Sequence, residues 1–176
     1  MQNTQLRAVL AAVRAGSEDA FDQLYDALST PVYTIALRIT GSRTAAEDLT
    51  QEVFLRLWQS PPDETVRNPR AFIFQTVHNL AVDHLRKQHT EPLPDTLADP
   101  GDPIGDMLLR ETLRRAMLTL TPEERETVSL HIDAELRFHE IAALTGCSLS
   151  SVYRTYKRAL KKLRTALQTD ERSDEI

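Results

Sequence analysis

At 176 residues, with 41% hydrophobic and 27% charged positions, the chain has room for one ordinary domain or two small ones and the composition of a soluble globular protein. No apolar run approaches the roughly 20 residues that cross a bilayer, and the first residues lack the pattern of a signal peptide. The lone Cys147 excludes an intrachain disulfide and a cysteine metal cluster, and a net charge of -5 gives no overall basic character. These features lead us to expect a cytoplasmic location and no membrane insertion of the chain's own.

Residues 1–90 carry 9 Lys/Arg and 10 Asp/Glu, and helical signals dominate them. Leu6, Val9, Leu10 and Val13 follow helical spacing. Ser17 is placed to cap a helix whose first turn holds Glu18 and Asp19, at the positive end of the dipole. Phe21, Leu24, Tyr25 and Leu28 form its apolar stripe, and Gly41 closes the next segment, PVYTIALRIT. Thr44 and Glu47 have capping-box spacing for a helix that runs to Trp58, where Pro61 and Pro62 stop the chain.

At about 100° per residue, Leu49, Val53, Phe54, Leu57 and Trp58 cover one side of that helix. Asp48, Gln51, Glu52, Arg56 and Gln59 cover the other, with Leu55 among them. This outer side is either a solvated acidic back or a docking surface. Asn68-Pro69 then restarts a helix, with a capping side chain ahead of a proline at the first helical position. Ile73, Phe74, Val77, Leu80, Ala81, His84 and Leu85 fall on its core side. Phe72, Gln75, Thr76, Asn79, Asp83 and Arg86 fall opposite. An outward aromatic among amides, hydroxyls and a guanidinium can stack on an unpaired base and read its edges; the alternative is a solvated face with one stray Phe.

Residues 91–106, EPLPDTLADPGDPIGD, hold five acids, no base, four prolines and two glycines. Such a stretch buries too little apolar area to offset the entropy of ordering, so it is expected to be a flexible acidic linker between two domains. Beyond it, Leu109, Leu113, Met117 and Leu120 stripe a helix. Thr121, Pro122 and Glu124 begin the next one with a capping box. The run FHEIAALTGCSLSSVYRTYKRALKKLR reads as a helix-turn-helix, with small Ala142 at the crossing, Gly146 in the turn, Cys147 filling the turn's core and Ser148 capping the second helix.

After Glu140 no acid occurs until Asp170, whereas Arg154, Lys157, Arg158, Lys161, Lys162 and Arg164 lie between them. Leu149, Val152, Tyr156, Ala159, Leu160 and Leu163 make one apolar side of the last helix. Ser150, Ser151, Arg154, Lys157, Arg158 and Lys161 make the opposite side. A helix that enters the major groove needs such a surface, with short polar groups at its N-terminal end and cations beside phosphates. A solvated basic helix is the plainer alternative. No alternating strand pattern occurs, and the expected fold is all-α: two small helical domains, residues 1–90 and 107–170, on the tether 91–106.

The runs AEDLTQEVFLRLW, NLAVDHLR and EIAALTGCSLSSV, in that order, resemble bacterial RNA polymerase sigma factors of the extracytoplasmic-function (ECF) type. The resemblance implies a transcription initiation factor whose first domain binds core polymerase and reads the minus-10 element, and whose second reads the minus-35 element. It implies core-polymerase contacts at Asp48, Gln51, Glu52 and Leu55. It implies minus-10 contacts at Phe72, Gln75, Thr76, Asn79, Asp83 and Arg86, with Asn79 beside the melted strand. The segment from Ser60 to Asn68 corresponds to a loop that pockets a flipped promoter base. Minus-35 contacts are implied at Ser150, Ser151, Tyr153, Arg154, Lys157, Arg158 and Lys161. The linker would thread polymerase near the nascent RNA or act as a plain spacer, and an anti-sigma protein is an expected partner. Arg137 stands where many relatives carry a small hydroxyl residue, Thr145 where a larger apolar one is usual, and Tyr153 and Thr155 where many carry basic residues.

A free-standing DNA-binding regulator would explain the second half equally well, but would leave the first half's outward faces without a purpose. An enzyme acting on nucleic acid would need clustered acids or a metal site. The five histidines have no ligand spacing, HEIAA at His139 lacks the second histidine of a zinc-protease motif, and no phosphate-cradling glycine loop occurs. The expectation is no enzyme activity, no cofactor and no metal.

Overall fold

The computed structural model describes residues 1–88 and 107–173, and every regular element among them is a helix. The chain divides into two compact units, Met1–Pro94 and Asp95–Ile176. The all-α expectation is met; the expected linker, 91–106, lies outside the described residues.

In the first unit α1 (Asn3–Arg14), α3 (Arg43–Gln59) and α4 (Pro69–Gln88) pack around α2 (Glu18–Thr40). Leu6 and Leu10 of α1, Leu24, Leu28 and Ile35 of α2, Val53 of α3 and Ile73, Phe74 and Val77 of α4 are buried in the core. Each such side chain contributes about 1.5–3 kcal/mol when fully buried. The starts follow local chemistry. The Ser17 hydroxyl accepts from the Ala20 N–H at 3.2 Å, and the Asn68 side-chain oxygen accepts from the Ala71 N–H at 3.0 Å.

Two expectations here need correction. The segment PVYTIALRIT is no separate element: α2 runs through Pro31 as one helix of 23 residues. Proline removes one intrahelical donor, and burial of Leu24 and Leu28 before it and of Val32 and Ile35 after it holds both halves on the same core. The cap of α3 is Ser42, whose hydroxyl accepts from the Ala45 N–H at 3.3 Å, and not Thr44. Gly41 closes α2 in the left-handed region at φ 68°, so Ser42 already has the extended backbone a cap requires.

In the second unit α5 (Met107–Leu118), α6 (Pro122–Ile132) and α7 (Phe138–Thr145) all pack against α8 (Leu149–Ser173). Met117, Leu120, Val128 and Ala159 form a buried cluster, with Tyr156 and Leu163 against it. The capping box at α6 forms as expected: Thr121 accepts from the Glu124 N–H at 3.3 Å, and the Glu124 carboxylate accepts from the Thr121 N–H at 3.0 Å. Arg137 precedes α7 without a side-chain cap, having no acceptor to offer, and the Glu140 carboxylate accepts from its N–H at 2.7 Å. Gly146 turns the chain at φ 70°, and Ser148 accepts from the Ser151 N–H at 3.2 Å.

Leu113 of the α5 stripe and Leu149 and Leu160 of the apolar side of α8 stand exposed. The buried arc of α8 centres on Val152 and Ala159, so Leu149 and Leu160 fall at its margin. Cys147 is likewise exposed and does not fill the turn. The side chain of Leu109 lies outside the described residues.

Candidate functional site

Asp48, Gln51, Glu52 and Leu55 of α3 line one groove with Glu18, Phe21, Asp22 and Tyr25 of α2. Aromatic contacts build its floor. Phe21 meets Phe54 and Trp58 edge-on, with centroids 6.2 and 5.1 Å apart, and Tyr25 meets Phe54 at 4.7 Å. Leu55 stands 54% exposed among the acids. Glu52 pairs with Arg56 one turn on, an exposed contact worth little. The result is an apolar strip rimmed by carboxylates, suited to a partner that brings basic and apolar side chains together. Helical periodicity marks the α3 half of this groove, but on α2 it leaves Phe21 and Tyr25 in the apolar stripe with Leu24 and Leu28. Glu18 and Asp22, one turn apart beside that stripe, were the available signal.

The two sides of α4 separate as expected. Ile73, Phe74, Val77 and Ala81 are buried and Leu80, His84 and Leu85 only half-buried, whereas Phe72, Gln75, Asn79, Asp83 and Arg86 are exposed and Thr76 is half-buried on the outer side. Phe72 is 46% exposed. Asp83 and Arg86 approach to 3.7 Å, and the Thr76 hydroxyl donates to the Phe72 carbonyl at 3.0 Å. An aromatic plate, two amides and a guanidinium therefore share one surface.

The connection from Ser60 to Asn68, just before α4, is pinned from α1. Arg7 donates to the carbonyls of Val66 and Arg67 at 3.1 and 2.5 Å. Arg14 donates to the Pro62 carbonyl and pairs with Glu64 at 3.3 Å. Within the loop, the Asp63 carboxylate accepts from the hydroxyl and the N–H of Thr65, and these bonds hold its pKa below the usual value.

On α8, Ser150, Tyr153, Arg154, Lys157, Arg158 and Lys161 are exposed, and Ser151 is half-buried. Tyr153 lies edge-on to Phe138 of α7 at 5.8 Å, and the Lys157 ammonium sits 5.8 Å from the Tyr153 ring centroid. Arg158 differs from the other cations. Its guanidinium donates to Glu124 of α6 at 3.1 Å, and Lys162 donates to the same carboxylate at 2.7 Å. Burial, to 1% exposure, pushes the Glu124 pKa up. The Lys162 hydrogen bond, the Thr121 N–H and the two positive charges outweigh that, holding it below its ordinary value. Ser150, Tyr153, Arg154, Lys157 and Lys161 thus form the outward surface, and Arg158 stands at its edge, shared with α6.

Two family descriptions match the chain: Sigma-70 region 2 over residues 24–91, and Sigma-70, region 4 over residues 110–163. The ECF RNA polymerase sigma factor SigK of Mycobacterium ulcerans is 26% identical over 178 residues, covering 94% of this chain and 95% of that protein. The ECF RNA polymerase sigma factor SigJ of Mycobacterium tuberculosis is 32% identical over 152 residues, covering 78% of this chain; the match spans 48% of SigJ. Among solved structures, the sigma factor RpoE of Bartonella quintana, seen in complex with the anti-sigma factor NepR, has the same fold. Its TM-score is 0.67 at 22% identity, over 85% of this chain and 98% of that one. The chain belongs to the sigma-70 family, in its extracytoplasmic-function type. Its activity is that of a transcription initiation factor that directs RNA polymerase to promoters.

Proposed function

We propose that the first unit docks on core polymerase through the groove of Asp48, Gln51, Glu52 and Leu55, and holds the melted minus-10 strand on the outer face of α4. In this reading Phe72 stacks on an unpaired base, Asn79 and Gln75 read base edges, and loop 60–68 pockets a flipped base. Capture of an extruded base offsets a few kcal/mol of lost stacking and so favours opening. The outward surface of α8 lies in the major groove of the minus-35 duplex, with Arg154, Lys157 and Lys161 beside phosphates and Ser150 and Tyr153 near base edges. Functional domains at residues 1–90 and 107–170, tethered by 91–106, belong to the same proposal. So do a cytoplasmic site of action and a role that makes no covalent step of its own. An anti-sigma protein is the proposed regulator, by likeness to the complex of RpoE with NepR.

The observation that carries the docking role is the exposed Leu55, which lines one groove with aromatic rings and carboxylates. A large apolar side chain surrounded by charge in a shaped groove is typical of an interaction surface. Titration of labelled full-length protein with core polymerase tests it. Leu55→Asp and Asp48→Lys are each expected to weaken association by about tenfold or more while leaving the helical content unchanged. Unchanged affinity in both variants would remove this groove from the docking role.

A further inference from the structure

We infer that Arg7 and Arg14, on α1, are positioning residues for the base-capturing loop, so that a helix lying before the matched region 2 segment sets promoter discrimination. The inference rests on the proposed role of loop 60–68.

The geometry is specific. Arg7 and Arg14 lie two turns apart on α1, and both reach the loop. Arg7 takes hold of its C-terminal end through the consecutive carbonyls of Val66 and Arg67. Arg14 takes hold of its N-terminal end through the Pro62 carbonyl and the Glu64 carboxylate. Between these anchors, Thr65 closes a turn onto Asp63. Arg7, Arg14, Pro62, Asp63, Glu64 and Val66 line one cavity between α1 and the loop. A loop whose carbonyls were satisfied only by water would sample many conformers; four charge-assisted contacts select one. Arg14 uses the guanidinium fork, with Nη1 on the Pro62 carbonyl and Nη2 on the Glu64 carboxylate from one rigid plane, whereas both bonds of Arg7 come from its Nη2.

α1 itself is fixed by Leu6, Leu10 and Val13, which are buried in the unit's core. The arginines need not be near DNA for this. They hold the loop's backbone, and the loop's own groups meet the base. Pre-organisation of this kind lowers the ordering cost of binding and sharpens the difference between correct and incorrect bases.

Full-length protein is assembled with core polymerase and challenged with single-stranded DNA randomised at each position of the minus-10 segment, and the enriched bases are read by sequencing. For the wild type we expect one position to show strong preference that depends on the loop, lost when Asp63 and Thr65 are both replaced by Ala. Arg7→Ala with Arg14→Ala should reduce that preference by about tenfold and leave the preferences that depend on Asn79 unchanged. Arg14→Lys should fall between them. Hydrogen exchange in the double variant should accelerate at Thr65, Val66 and Arg67 but not in the centres of α2 to α4.

Preference and exchange that both match the wild type would overturn the inference. A uniform loss at every position, with faster exchange throughout the unit, would also overturn it, since that marks general destabilisation. If the wild type shows no position that depends on the loop, the loop has no capture role, and both that reading and this inference fail together.

Discussion

The basic residues of α8 divide by what their neighbours already satisfy. Arg154 and Lys157 stand on the outward surface, whereas Arg158 and Lys162 share the buried carboxylate of Glu124. A cation committed to an internal partner releases fewer counterions when DNA arrives. Replacing Arg154 or Lys157 with Ala should therefore lower the log–log salt slope of duplex binding by about one unit each. Arg158→Ala should change the slope less and lower thermal stability more. Equal slopes for all three variants would show that Arg158 meets phosphate despite Glu124.

Glu124 also sets an acid limit on the second unit. Its folded pKa lies below the ordinary 4.5, so its contribution is complete above that value and is lost as pH falls through the folded one. Both cations remain partly exposed, which weakens the pairs, and Glu124→Gln should cost about 1–2 kcal/mol at neutral pH. Chemical denaturation at pH 7 and pH 3 should show that difference shrinking in acid. A constant difference would place the loss in packing rather than in charge.

At the scale of elements, α4 carries the sharpest proposal, because one helix contributes both to the core and to the proposed strand-binding face. Asn79 is exposed and lies opposite Ile73, Phe74 and Val77. Asn79→Ala should slow promoter opening, followed by permanganate reactivity of unpaired thymines, without altering affinity for core polymerase. Parallel loss of both would mean that Asn79 supports the fold. Elements of this kind were legible in the sequence because their causes are local. Ser17, Asn68, Thr121 and Ser148 each meet a backbone N–H three residues ahead, and the two faces of α4 follow from helical period alone. The misread parts have non-local causes. Continuity through Pro31 depends on a core assembled from three other helices, and the exposure of Leu149 and Leu160 on where α5, α6 and α7 end. The contacts of Arg158 with Glu124, and of Arg7 and Arg14 with the loop, span 34 to 60 residues, and no local pattern announces them.

For the whole molecule, charge segregation organises function. In the proposed reading, the acidic groove of the first unit serves polymerase and the basic helix face of the second serves DNA. A regulator that bound DNA alone would have no use for the first. The most direct measurement reconstitutes purified chain with core polymerase on genomic DNA fragments and maps the transcript starts. Core alone should initiate without preference. With the chain present, starts should gather downstream of a two-part motif with a fixed spacer, and the Leu55→Asp variant should not support them. Specific DNA binding by the chain alone, with no association with core and no redirected starts, would contradict a sigma role.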